Sequence, residues 1–267
     1  MSDTCTSGGE RLIKYPNLPE NRAARAIISN ELPHEIMQEL LRAGVVPYFT
    51  KECDSLDKRI AAHPDMSVFS FGNGKFAARS CCKAVFDEIC KDLRGNVPAL
   101  AVKYGKTVQT PTSALEYPFD ISFNCFLLKD VLFCGKVLDE TVELSLEHGT
   151  KIVRMKQGYA KCSTCIVSDN AAITEDKSVY KTLHDNGIDV LLLPKREVVL
   201  EGYDCGFIGG ASFKLSHSEL AFFGNIEKHG AYRDIKAFCS NHGVDCISLS
   251  HRPLTDYGGA VCVTERI

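Results

Sequence analysis

Thirteen of the 267 residues are cysteine, and a thiolate can ligate a metal, exchange a disulfide or attack an electrophile. The spacing that most invites a metal or redox reading is Cys162-Ser163-Thr164-Cys165. A zinc site needs further ligands, and no second pair stands at a matching spacing. The run 162–168 also reads as a strand, on which residues three apart point to opposite faces, so the two thiols would not grip one ion. The expectation is no metal and no cofactor. The cysteine count is odd and includes the adjacent Cys81 and Cys82, unlike a secreted disulfide framework. Most of the thiols sit in apolar segments such as FNCFLL and DEICKDL, where a free cysteine behaves as a small core hydrophobe. On those grounds alone Cys262 reads as a buried thiol on an apolar strand.

The other candidate groups are aspartates beside glycines. Asp204 precedes the glycine-rich segment 206–210 and Asp256 precedes Gly258 and Gly259. Either could partner a cationic ligand, although loop aspartates also bond their own backbone. The segment 206–210, GFIGG, lacks the lysine and threonine of a phosphate loop. Its glycines point instead to a close backbone approach, or to a pocket lined by N–H donors.

The elements that must position these groups are set by a repeat. Five times a helical stretch ends in a glycine that is followed by a short apolar strand, with the glycines at Gly44, Gly95, Gly149, Gly187 and Gly243. Glycine adopts the left-handed conformation that stops a helix and redirects the chain. Ahead of four of these helices lie two β-like runs joined by a turn: 67–71 with 75–79, 121–128 with 131–134, 162–168 with 171–174, and 207–213 with 219–223. Gly72-Asn73-Gly74 is a strong hairpin signal. Apolar residues recur at helical spacing: Ile36 and Leu40 in the first unit, Val85, Phe86, Ile89 and Leu93 in the second, Leu138, Val142 and Leu146 in the third, and Ile235, Phe238 and Cys239 in the last. Each unit reads strand, strand, helix, strand. The first has only one strand, 24–29, before its helix, and a strand at 260–264 is left over at the other end. If that strand joins residues 24–49, five units close into one domain spanning 1–267, and the exposed sheet edges of an open array vanish. An open α/β sheet with irregular hairpins is the alternative.

Bulk properties exclude several classes. Hydrophobic residues make up 45% and charged residues 24% of a chain with net charge -3, the balance of an ordinary globular protein. No Lys/Arg block of five occurs, so neither nucleic acid nor a membrane surface is an expected partner. No apolar stretch approaches the ~20 residues of a membrane span, and the polar N-terminus lacks the apolar core of a signal peptide. A cytoplasmic location follows as the expectation. Oligomeric state is left open.

Five such units about a pseudo-fivefold axis resemble the pentein fold, the α/β-propeller of the guanidine-modifying enzymes: deiminases, dimethylarginine dimethylaminohydrolase and amidinotransferases. The segments HPDMSVF, YPFDISFNCFLL and EGYDCGFIGGASFKLS also resemble a bacterial domain of unknown function with that fold. The resemblance implies a nucleophilic cysteine near the C-terminus, a histidine that moves protons, and carboxylates that grip the planar fork of guanidinium N–H groups. The nucleophile falls on Cys262 of YGGAVCVT, and the carboxylates fall on Asp65 of HPDM and Asp120 of YPFD. The histidine belongs within 201–210, where Tyr203, Asp204 and Cys205 stand instead. His251, eleven residues before Cys262, and His63, beside Asp65, are the available substitutes. Two functions follow. One is a cysteine-dependent amidinohydrolase or amidinotransferase acting on a guanidino compound, with Cys262 and His251 catalytic and Asp65, Asp120, Tyr203, Asp204 and Asp256 binding substrate. The other is an inactive relative that binds a small cationic or amino-acid-like ligand. The fold also resembles a translation factor that binds a ribosomal subunit, a role the mildly acidic charge disfavours.

Overall fold

A computed structural model describes residues 9–95, 97–105, 115–194 and 196–267. The chain opens with β1 (Glu10–Leu12), β2 (Ala23–Ser29), α1 (His34–Arg42) and β3 (Val46–Thr50). A second unit follows as β4 (Val68–Gly72), β5 (Lys75–Ala78), α2 (Lys83–Asp92) and β6 (Ala101–Tyr104), and a third as β7 (Phe126–Leu128), β8 (Val131–Cys134), α3 (Glu140–Glu143) and β9 (Lys151–Arg154). The fourth contains β10 (Cys165–Ser168), β11 (Ala171–Thr174), α4 (Lys177–Asp185) and β12 (Asp189–Leu192). The fifth contains β13 (Ser212–Ser216), β14 (Glu219–Phe222), α5 (Tyr232–Asn241) and β15 (Asp245–Ser248), and the chain ends in β16 (Val261–Arg266).

These strands form five separate sheets among the described residues, one per unit, and none of them closes on itself. In units two to five an antiparallel hairpin is followed by a helical crossover to a parallel third strand. The first sheet has the order β1-β16-β2-β3, with β16 antiparallel to β2. The last strand of the chain thus supplies the missing strand of the first unit. The extra strand β1 pairs on its far side, an element too short and polar to register as a pattern.

The five glycines at the helix ends all have φ between +68° and +94°, the region closed to most side chains. The helices bury the expected stripes, with Ile36 and Leu40 in α1, Val85, Phe86 and Ile89 in α2, and Ile235 and Cys239 in α5. The third helix is shorter than its pattern: Asp139 caps it by accepting from the Thr141 N–H, so Leu138 lies outside, and Leu146 packs from beyond its end. The core is distributed between units. One cluster joins Phe213, Leu215 and Phe223 of the fifth unit to Ile28, Ile36 and Leu40 of the first. Another joins Ile27 and Val263 of the first sheet to Phe76 and Phe86 of the second unit. Among the described residues no helix is long and apolar enough to cross a membrane.

Three predicted strands begin late. The run 121–128 starts as a 3-10 helix, Asp120–Phe123, and is strand only over Phe126–Leu128. The run 162–168 is strand from Cys165, and 207–213 only from Ser212. Cys162 is therefore in a turn, and the opposite-faces argument for the Cys162–Cys165 pair does not apply. In each case apolar residues in the turn mimic a strand, and in the last two side-chain hydroxyls claim the local carbonyls. Thr164 donates to Ala160 O at 2.8 Å, and Ser212 to Ile208 O at 2.8 Å.

Candidate functional site: a belt of five turns

Those turns share one place in every unit, just before its first strand. They are Pro64–Met66 before β4, Asp120–Phe123 before β7, residues 159–164 before β10, 207–211 before β13, and 256–260 before β16. Hydrogen bonds pass from one turn to the next and return to the first. The Asp65 N–H donates to Gly258 O (3.3 Å), Gly259 N–H to Gly210 O (2.7 Å), and Gly210 N–H to Cys162 O (3.0 Å). The Cys162 N–H then donates to Asn124 Oδ1 (3.2 Å), and Asn124 Nδ2 to Asp65 O (3.5 Å). Such an approach leaves no room for a side chain at Gly209 or Gly210 in the turn 207–211. A Cβ on Gly209 would lie 2.4–2.6 Å from three carbonyl oxygens, and one on Gly210 would lie 2.0 Å from Asp256 Oδ1.

Buried ionisable groups surround this belt. Asp65 is 4% exposed. Its Oδ2 accepts from the Cys162 thiol at 2.9 Å, and its Oδ1 has no partner among the described residues. Burial, and then repulsion from Asp256, push its carboxyl up to about 7. Burial and the neighbouring Asp65 carboxyl in turn raise the Cys162 thiol well above its ordinary range. Asp256 is satisfied by backbone, accepting from Gly258 N–H at 2.9 Å and Phe207 N–H at 3.0 Å. His63 Nδ1 lies 3.7 Å from Asp256 Oδ1, and its Nε2 is unpartnered. Burial lowers the His63 pKa against the pull of Asp256, which keeps the ring neutral at pH 7.

Asp120 accepts from the Tyr159 hydroxyl at 2.8 Å through Oδ2, while its Oδ1 is unpartnered. Glu175 accepts weakly from Ile208 N–H at 3.5 Å, leaves Oε1 unpartnered, and is pushed up to about 7 by burial. Three carboxyl groups therefore keep one buried oxygen without a partner among the described residues. Aromatic rings stand outside them: Tyr159 lies 6.0 Å from Phe207 and 6.2 Å from Tyr117. Tyr203 is 39% exposed, with the Arg59 guanidinium 4.0 Å over its ring, and Asp204 is exposed beside it. No three His, Cys, Asp or Glu side chains converge as a metal ion requires, among the described residues.

Asp65, Asp120 and Asp256 thus gather at the belt, with Tyr203 and Asp204 further out. Cys262 and His251 do not join them. Cys262 lies within β16, where its side chain packs with Phe213, Leu215 and Ala26. Among the described residues the one hydrogen-bond partner of its thiol is Lys214 O at 3.8 Å, and burial pushes it up to about 12. His251 is exposed, and its carbonyl accepts from Lys228 Nζ. Sequence reasoning passed over Asn124, Tyr159 and Glu175, and weighed Cys162 only as half of a metal or redox pair. Asn124 and Cys162 carry a positional signal, because Asp65, Asn124, Cys162, Gly210 and Gly258 each stand two or three residues before the first strand of their unit.

The sequence matches the Family of unknown function (DUF6873) over residues 27–261, most of its length. The chain belongs to that family. Comparison with curated proteins gives no match. Among solved structures, the fold of this family member is similar to SxtG, an amidinotransferase from Microseira wollei in the saxitoxin biosynthetic pathway. The TM-score is 0.55 at 12% identity, covering 96% of this chain and 97% of that one. It is also similar to the C. jejuni agmatine deiminase, with TM-score 0.51, 15% identity and 93% of each chain covered. At such identities the likeness establishes the fold alone, which is the pentein fold.

Proposed function

We propose that this protein binds a small cationic ligand of the guanidino or amino-acid-like class at the belt, on five units set as blades about a pseudo-fivefold axis. The blade arrangement is supported by the pairing of β16 with β2 and by the circuit of hydrogen bonds through all five turns. The ligand class rests on the free oxygens of Asp65, Asp120 and Glu175. A buried acceptor left without a donor costs ~1–3 kcal/mol, and a guanidinium supplies planar N–H donors together with the opposite charge. Two of these carboxyls are held near 7, so an arriving cation would ionise them.

Turnover through Cys262 and His251 is disfavoured by their surroundings. The thiol of Cys262 is enclosed in the core, and among the described residues it has no hydrogen bond to a histidine or a carboxylate. A second reading is favoured by the 2.9 Å contact of Cys162 with Asp65. In that reading the thiol proton passes to Asp65 and the thiolate adds to the guanidinium carbon. The leaving amine departs with a proton, and water then frees the ureido product and regenerates the thiol.

Calorimetric titration with agmatine, arginine, methylated arginines and guanidinium, with parallel assays for ammonia and ureido product, tests both. The expected result is saturable binding of at least one compound, weakened about tenfold or more (~1.4 kcal/mol) by Asp120→Asn, without product. No binding at millimolar concentrations, or binding indifferent to Asp120→Asn, would sink the proposal. Product abolished by Cys162→Ala but retained in Cys262→Ala establishes the second reading; the reverse pattern returns the nucleophile to Cys262.

A further inference from the structure

The first strand of each unit runs from the belt to a hairpin turn, roughly 16 Å away for a five-residue strand such as β4. At that far end lies a cavity of 630 Å³, walled by the segment 14–20, by the hairpin turns and by Lys214 of β13. Its acidic lining is largely neutralised. Glu20 meets Arg11 at 2.5 Å, Asp169 meets Lys129 at 3.5 Å, and Glu147 meets Lys75 at 3.6 Å.

Lys14 and Lys214 line the cavity without a carboxylate in ion-pair contact among the described residues. Lys14 lies 4.7 Å over the Tyr15 ring. Lys214 is 4% exposed. It alternates along β13 with Phe213 and Leu215, which point into the core on the other face. Among the described residues its three N–H donors find one acceptor, His217 O at 2.7 Å. Glu219 is engaged elsewhere, by Arg22 at 2.5 and 2.6 Å and by the Ser216 hydroxyl at 2.8 Å. Burial lowers the Lys214 ammonium to about 8, so it still carries its proton at neutral pH. Phe71, Leu127 and Val167 supply apolar wall beside it.

We infer that this cavity is a second ligand site, which takes an organic carboxylate with an apolar body, its head on Lys214 and its tail against Phe71, Leu127 and Val167. The volume falls within the ~300–1,000 Å³ of small-molecule sites. A buried ammonium with two idle donors selects an anion over a cation or a neutral molecule. The apolar walls select an amphipathic carboxylate over inorganic phosphate, whose several oxygens would find one buried cation.

Calorimetry on the full chain with octanoate, octanol and inorganic phosphate tests this. Octanoate should bind saturably at one site, about tenfold or more tighter than octanol, and phosphate should not displace it. Lys214→Met should remove that preference while octanol binding persists, and Lys214→Arg should restore it. Leu127→Trp narrows the cavity without touching the lysine and should weaken octanoate even if the Lys214 variants fold poorly. Equal binding of octanoate and octanol, full octanoate affinity in Lys214→Met or in Leu127→Trp, or displacement by phosphate would overturn the inference. Guanidino ligands at the belt should respond to none of these substitutions, which separates the two sites.

Discussion

Replacing Asp65 by asparagine should stabilise the unliganded protein above neutral pH, although it removes a buried hydrogen-bonding carboxylate. The carboxyl moves from 3.8 up to about 7 because burial strips its hydration and Asp256 repels its charge. That is about three pH units, and at ~1.36 kcal/mol each the ionised form opposes folding by on the order of 4 kcal/mol. The folded-state pKa lies above the unfolded one. The contribution to stability is therefore full below about pH 4, declines as the unfolded chain releases its proton, and is lost as pH rises through 7. Asparagine has the same shape and can still accept from the Cys162 thiol, but it cannot ionise.

Urea unfolding of the wild type and Asp65→Asn at pH 4.5 and pH 8 measures this directly. Glu175, also held near 7, destabilises both proteins in the same direction and cancels in the difference. The variant should gain about 2–4 kcal/mol on the wild type between the two pH values. An unchanged difference, or a variant that weakens at pH 8, would refute the account of Asp65 as a carboxylate kept protonated by its surroundings. A cation seated at the belt would compensate the same cost. Guanidino binding should then tighten from pH 6 to 8 and release protons, seen as a dependence of binding heat on the ionisation heat of the buffer.

Three further outcomes are expected. Deleting residues 260–267 removes β16, which pairs with both β1 and β2, so circular dichroism should show no cooperative melting; a normal transition would contradict the role of that strand in completing the first sheet. In iodoacetamide labelling at pH 7.5 followed by mass spectrometry, Cys262 should react far more slowly than the partly exposed Cys90 or Cys205. Burial both shields the Cys262 thiol from the reagent and pushes it up to about 12, which leaves little thiolate, and early labelling of Cys262 would reverse that ranking. Gly209→Ala forces a Cβ against the carbonyls of Lys161, Cys162 and Thr164 and should cost on the order of 1–3 kcal/mol in urea unfolding; an unchanged midpoint would show that the belt can widen freely.

The repeat made the architecture legible because its marks are local and physical. A glycine with positive φ must end each helix, apolar stripes must face the sheets, and the unpaired strand near the C-terminus needs a partner. The strand limits before β7, β10 and β13 were not legible. Phe123, Ile208 and their neighbours are buried in turns, and an apolar residue carries no sign of whether the backbone beneath it is turned or extended. The extra strand β1 escaped for the opposite reason, since Glu10–Leu12 has no alternation long enough to register.

The site was legible as residue types but not as environments, and the two cysteines show why. Cys262 follows a glycine pair and sits where the family resemblance expects a nucleophile. Yet it is the second residue of β16, where it joins the apolar cluster of Phe213 and Leu215 and, among the described residues, has no hydrogen bond to a histidine or a carboxylate. Cys162 looked inert while it was read as part of a strand. The turn that holds it brings its sulfur 2.9 Å from a carboxylate contributed 97 residues earlier in the chain. A thiol's reactivity is set by charge, hydration and proximity, and those come from segments that meet only when all five turns pack together. If this family has kept the fold while altering the chemistry, the alteration lies in that packing, which sets Cys162 against Asp65 and encloses the expected nucleophile in the core.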